Sequence, residues 1–245
     1  MKTIKALLLT ILLFWPVPGS AQDRGFDRGF ISVNAVSQAS GNRRVHDTLS
    51  YPPSDPTQRY RVDYETPGGP AFDVGGGMPV GRSLSLGLAV SRFGRASRTD
   101  IDSVDFFARR GTVVYLGHEQ LGYHLQTSWI VRVTDRLDVA FFAGPSLFSV
   151  RRTRVTDVEI TEVEPLPGDD YVPEPMVTGV STRGVTHRLA GYNYGFDFTF
   201  RIAERVGVGI LARTAQSIPL SVGGGHREVP VAGGSHVGIG MRFRF

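Results

Sequence analysis

Cysteine is absent from the 245 residues. That excludes a disulfide scaffold, a thiolate zinc site, a thiol nucleophile and a lipidated N-terminal cysteine. Lysine is nearly absent, with Lys2 and Lys5 the only two, and tryptophan is confined to Trp15 and Trp129. No apolar run reaches the ~18–20 residues that a membrane helix needs. No long arginine cluster stands out and the formal net charge is only +4, so nothing supports a nucleic-acid partner. What is present is a chain with 41% hydrophobic and 10% aromatic residues, too apolar to be disordered by composition.

The first 21 residues have the three zones of an export signal: Lys2 and Lys5, an apolar stretch from Ala6 to Trp15, and the helix-breaking Pro16 and Pro18 before the small residues Gly19-Ser20-Ala21. The stretch is too short to span a bilayer and fits a secretory h-region of ~7–15 residues. The expected division is residues 1–21 as signal peptide and 22–245 as one mature domain. Both lysines leave with the signal, so every mature cation is an arginine or a histidine.

The remainder alternates in period two. Val237, Ile239, Met241, Phe243 and Phe245 alternate with Gly238, Gly240, Arg242 and Arg244. Tyr192, Tyr194, Phe196, Phe198 and Phe200 alternate with Asn193, Gly195, Asp197, Thr199 and Arg201. The same rhythm marks segments around Ile31–Ala35, Val74–Val80, Leu84–Val90, Leu121–Val133, Leu137–Leu147 and Val206–Ala212. Strict alternation makes a strand with one apolar face and one polar or small face. Eight such segments are joined alternately by tight polar turns (Gly81-Arg82-Ser83, Thr134-Asp135-Arg136, Ala203-Glu204-Arg205) and by long polar connections at about 37–70, 94–119, 151–186 and 217–233.

This pattern predicts an all-β fold, an eight-stranded antiparallel up-and-down transmembrane β-barrel with short periplasmic turns and long extracellular loops. In lipid every backbone N–H and C=O must be paired, and only a closed sheet has no edges. Each strand needs ~9–11 tilted residues to cross, about the length found. The register is self-checking, because a slip of one residue would turn Arg132, Arg201, Arg213, Arg242 and Arg244 out towards lipid. The competing reading is an exported soluble β-sandwich, which also alternates but explains neither the turn asymmetry nor the ending on Phe245.

The signal segment, the eight alternating segments, the Gly75-Gly76-Gly77 strand and the ending Gly240-Met241-Arg242-Phe243-Arg244-Phe245 resemble the small OmpA/OmpX-type outer-membrane β-barrel domain family over nearly all the mature chain. The resemblance implies the outer membrane of a Gram-negative-type bacterium. It implies contact with outer-membrane lipid and lipopolysaccharide, and recognition by the barrel-assembly machinery through Ile239, Met241, Phe243 and Phe245. The chain departs from two-domain members in having no periplasmic cell-wall-binding domain after Phe245, so cell-wall tethering is not implied. The resemblance is poor in activity.

An eight-stranded barrel has an interior just wide enough for side chains to fill. The expected inward cluster is Asp73, His124, Arg132, Asp138, Asp197, Arg201, Arg213 and Arg242, joined by His236 and Arg244. Paired, these groups form an ionic plug, since an unpaired buried charge costs several kcal/mol. The expected function is a structural or surface-interaction role with a filled lumen. The alternatives are a narrow gated channel for small solutes and, third, a lipid-modifying enzyme. The chain is read as non-catalytic: the six histidines, His46, His118, His124, His187, His226 and His236, lack the His-x-Ser arrangement of a lipid A deacylase-like barrel, and His118-Glu119 and His226-Arg227-Glu228 are read as solvated. No cofactor or metal is expected, because the acids Asp157, Glu159, Glu162, Glu164, Asp169, Asp170 and Glu174 lack calcium-loop spacing. The loop residues Tyr51, Tyr60, Tyr64 and Tyr171 are candidates for partner contact. The protein is expected to be a monomer.

Overall fold

The computed structural model describes residues 29–39, 41–50, 59–103, 112–162, 175–218 and 232–245. The signal segment lies outside the described residues, as do Tyr51, Tyr171, Glu164, Asp169, Asp170, Glu174 and the triplet His226-Arg227-Glu228.

The alternating segments fold into strands β1 (Phe30–Gln38), β4 (Gly69–Pro79), β5 (Leu84–Ser103), β6 (Thr112–Arg132), β7 (Leu137–Glu162), β8 (Pro175–Arg201), β9 (Val206–Ser217) and β10 (Gly233–Arg244). Each pairs antiparallel with its neighbours in the ring, and the ring closes where β1 meets β10, from Phe30 opposite Arg244 to Gln38 opposite His236. The three short connections are tight turns, closed by bonds such as Val80 N to Leu84 O at 2.9 Å and Ile202 N to Val206 O at 3.0 Å. At the second of them the Thr134 hydroxyl also accepts from the Leu137 N–H at 3.0 Å.

Around the ring the apolar residues face outward. Leu88, Tyr194, Phe198, Ile210, Ile239 and Met78 all stand exposed on the outer wall. A soluble monomer rarely shows a contiguous apolar patch beyond a few hundred Å². A belt running round every strand is what a bilayer requires. Polar residues line the inside, and none of the five lumen arginines turns to lipid.

Beyond the belt the structure departs from the sequence reading. Among the described residues the first three long connections are mostly strand rather than irregular loop: β5 to β8 run 20 to 27 residues, about twice what a crossing needs. The first connection also holds a hairpin, β2 (Gly41–Ser50) and β3 (Arg59–Thr66), whose β3 pairs with the far end of β5 from Tyr60 opposite Ser103 to Tyr64 opposite Thr99. Here the polarity reverses. Tyr60, Val62, Ile101, Leu116, Val155, Val158 and Val177 pack inward as one buried apolar core. Two register shifts in the β7–β8 ladder, between Val155 and Asp157 and between Glu159 and Ile160, re-aim side chains as bulges do. The result is a small water-facing cap above the membrane-spanning barrel.

Candidate functional site: the polar lumen and its cap

The strand period places Asp73 (β4), His124 and Arg132 (β6), Asp138 (β7), Asp197 and Arg201 (β8), Arg213 (β9) and Arg242 (β10) on the inner wall. The structure brings them together as three groups.

One group crosses the lumen. Arg242 grips Asp197 with Nε at 3.1 Å from both carboxylate oxygens and with its Nη2 on the same carboxylate. Its Nη1 donates to Asn34 Oδ1 at 2.6 Å, and Asn34 Nδ2 donates to Asp73 Oδ1 at 3.1 Å. Arg213 then pairs with the other oxygen of Asp73, its guanidinium 5.5 Å over the Phe142 ring. Five strands thus meet in one chain of charge-assisted bonds, the kind that holds position best when buried. Room for it comes from small inner residues: a Cβ at Gly209 would stand 3.0 Å from Arg242 Cζ.

The second group sits at the periplasmic mouth, where Asp138 receives Arg132 at 3.6 Å, Arg201 at 3.4 Å and Arg244. A cavity of about 70 Å³ lies between the two groups, bordered by Ser85, Ser128, Asp138, Arg213 and Arg242. It is large enough for a few waters, and Ser85 Oγ and Arg213 Nε border it with no protein partner.

The third group is neutral. His124 is fully buried, with Nε2 2.9 Å from Ser91 Oγ and Nδ1 2.8 Å from Ser146 Oγ. Asn193 braces it, donating to Ser146 Oγ at 3.0 Å and accepting from Gln126 Nε2 at 3.2 Å. Among the described residues no carboxylate touches His124, whose ring is held between the two serine hydroxyls and is fully buried. Farther out, His236 contacts Gln38 at 3.1 Å and Gln120 accepts from Gly233 N at 3.0 Å. There Phe148, Val150, Ala215 and Ala232 pack together as a buried apolar cluster.

Above the bilayer, in the cap, His118 is buried against Phe93 and accepts at Nδ1 from Arg152 Nε at 3.1 Å. Burial and the Arg152 charge push its pKa down to about 4. Glu119, its sequence neighbour, faces outward and forms no pair with it. Sequence reasoning missed Asn34, Ser91, Ser146, Asn193, Gln38 and Gln120. All are uncharged polar residues at inner positions of the same alternation, and that position was the available signal. Asp157 and Glu159 lie on β7 in the cap. No group of acidic and histidine side chains able to hold a metal occurs among the described residues.

No protein-family model matches the chain, and no curated protein matches it. Solved structures do. The outer membrane protein OprG from Pseudomonas aeruginosa aligns over 91% of this chain and 98% of its own, at 8% identity and a TM-score of 0.50. Ail, the attachment invasion locus protein of Yersinia pestis, solved with the heparin analogue sucrose octasulfate, covers 90% and 100% at 9% identity and a TM-score of 0.43. The outer membrane protease OmpT from Escherichia coli covers 89% and 97% at 9% identity and a TM-score of 0.43. The likeness to OprG is one of fold. Together with the apolar belt, it makes this chain an outer-membrane β-barrel.

Proposed function

We propose that the protein is a non-conducting, non-catalytic barrel that anchors an extracellular cap for surface interaction. The chain of ion pairs across the lumen is the observation that supports this reading. Ion pairs cross the lumen at Asp73, Arg213, Asp197 and Arg242, and buried apolar clusters at Phe148 and then at Ile101 and Leu116 lie farther out. An ion path would have to break both. Residues 1–21 act as the export signal in this reading, and Ile239, Met241, Phe243 and Phe245 on the outer face of β10 present the signal to the assembly machinery. Outer-membrane lipid and lipopolysaccharide are its partners at the belt, and the protein is a monomer.

The test is conductance of the refolded mature protein in a planar bilayer, with insertion checked by different migration of boiled and unboiled samples on a detergent gel. Inserted, silent protein is the expected result. Discrete, repeatable openings would replace this reading with the narrow channel.

A further inference from the structure

The outer wall is not uniform where the belt ends. On β5 to β8 the outward residues around the upper edge of the apolar band include three arginines, Arg92, Arg151 and Arg188, all exposed. Their strand phase fixes their direction. Arg92 follows the outward Leu88 and Val90, Arg151 follows the outward Leu147, and Arg188 precedes the outward Tyr192. Register brings them close. Ser149 lies opposite Arg188 and Thr186 opposite Arg151, so Arg151 and Arg188 are diagonal neighbours, roughly 7–8 Å apart at the backbone. On the same wall, Leu121 connects Arg92 to Ser149.

Height agrees with direction. Arg92 stands eight residues above the start of β5, Arg188 thirteen above the end of β8, and Arg151 fourteen above the start of β7. At about 3.3 Å per residue and a tilt of about 40° these are about 20, 33 and 35 Å above the periplasmic turns. A band about 25 Å tall ends between them. An arginine at the height of Arg92 can reach the rim with its aliphatic stem along the wall, and the other two stand at the height of the headgroup layer.

The opposite half of the rim differs. There β9, β10, β1 and β4 end their outward faces in Thr214, Gln216, Ser235, Ser37 and Pro70, with no charge among them. The three arginines make no side-chain ion pair or hydrogen bond among the described residues. Glu119, across from Arg151 on β6, is the one carboxylate in the patch among the described residues and leaves it cationic. Beside the arginines, Ser149, Thr186 and Gly94 are small, so a headgroup has access.

We propose that Arg92, Arg151 and Arg188 form a one-sided docking face for the phosphate groups of an outer-leaflet glycolipid, so that lipopolysaccharide binds the β5–β8 wall and not the β9–β4 wall. This rests on the proposed bilayer orientation and names the site of the lipid contact. Guanidinium groups suit phosphate oxygens in geometry as well as charge.

The experiment titrates lipid A into the detergent-solubilised mature protein, beside phosphatidylglycerol and phosphatidylcholine. A basic side chain near a lipid surface is worth about fivefold, so replacing three weakens binding about a hundredfold. The triple variant Arg92→Gln/Arg151→Gln/Arg188→Gln is expected to lose lipid A to that extent. The Arg→Lys triple keeps part of the affinity, and Thr214→Ala/Ser235→Ala binds as the parent does. Unchanged binding by the Gln triple, or an equal loss in the Thr214/Ser235 variant, overturns the site. Phosphatidylglycerol binding as tightly as lipid A overturns the glycolipid. Should the Gln triple not fold, Arg188→Gln alone must still show about a fivefold loss. Bilayer conductance of the same samples stays silent in either case, so failure here is separate from failure of the filled-lumen reading.

Discussion

Four strands, β5 to β8, run through both the belt and the cap, with opposite polarity in the two. On β5 the outward residues Leu84, Leu86, Leu88 and Val90 are apolar and exposed, while Ser85 and Ser91 face in and are buried. A few residues on, Arg92 and Arg98 face out while Phe93 and Ile101 are buried inside. The backbone continues unbroken between them; the surroundings change from lipid to water. In the belt the hydrophobic effect acts between wall and bilayer, and the interior is organised by paired charges. In the cap it acts inward, as in a soluble domain. The two regions therefore fail in different ways, and each can be broken without the other.

The largest effect is expected in the belt interior. Asp73→Ala removes the partner of both Arg213 and Asn34 and leaves a buried guanidinium. Breaking such a pair costs about 3–5 kcal/mol. Denaturant unfolding in bilayers, read by gel migration, should show that loss. The double variant Asp73→Leu/Arg213→Met should recover most of it, and a double as unstable as the single would show that packing, not charge, holds the lumen.

The outer walls make the next contrast. Phe196 and Tyr115 both face outward and are exposed, the first at mid-belt and the second on the cap. Phe196→Arg should cost about 2–4 kcal/mol, and Tyr115→Arg should stay within about 0.5 kcal/mol. Equal costs would mean that the cap wall also faces lipid.

That contrast also explains what the sequence made legible. Alternation with apolar residues on one phase located all eight ring strands and the three tight turns, because lipid demands an unbroken apolar face. The cap strands alternate too, but in the other phase. Around Arg92-Phe93 and Phe148-Ser149 two adjacent residues are both of the wrong kind for a continuing belt, and the pattern reads as an ending. A phase reversal without a turn residue marks an exit from the membrane, not a loop. Partners across the lumen were not legible, since residues as distant as Asn34 and Arg242 meet only through the closure of β1 on β10. Polar neutral residues such as Asn193 carry no signal of their own and become visible only once the inner phase is known.

Acid should act on the cap through His118. Its folded pKa lies near 4, below the ordinary value of about 6.5, so the native cap holds the ring neutral while an opened cap takes up a proton. The stabilisation is complete above about pH 6.5 and is lost as pH falls towards 4, at about 1.4 kcal/mol per unit, up to about 3 kcal/mol in all. Amide exchange of Leu116 and Val62 should quicken across that window in the parent and much less in His118→Gln. A belt that loosens in parallel would show that the two regions unfold as one.

The smallest effect separates the two solvents most finely. Ile101 is fully buried in the cap, and Ile210 stands half exposed on the belt wall. Changing either to valine removes one methylene, worth about 0.8 kcal/mol of transfer. In the cap the vacated space stays empty and adds a cavity term, because neighbours in a packed core relax only in part. On the belt, acyl chains flow into the space and no cavity remains. Ile101→Val should therefore cost up to about 1.5 kcal/mol in cap amide exchange, and Ile210→Val no more than about 0.8 kcal/mol in barrel unfolding. The excess at Ile101 measures how solid the cap core is. If Ile101→Val costs only the transfer value, the cap interior is as fluid as the lipid around the belt, and its strands are held by backbone pairing alone.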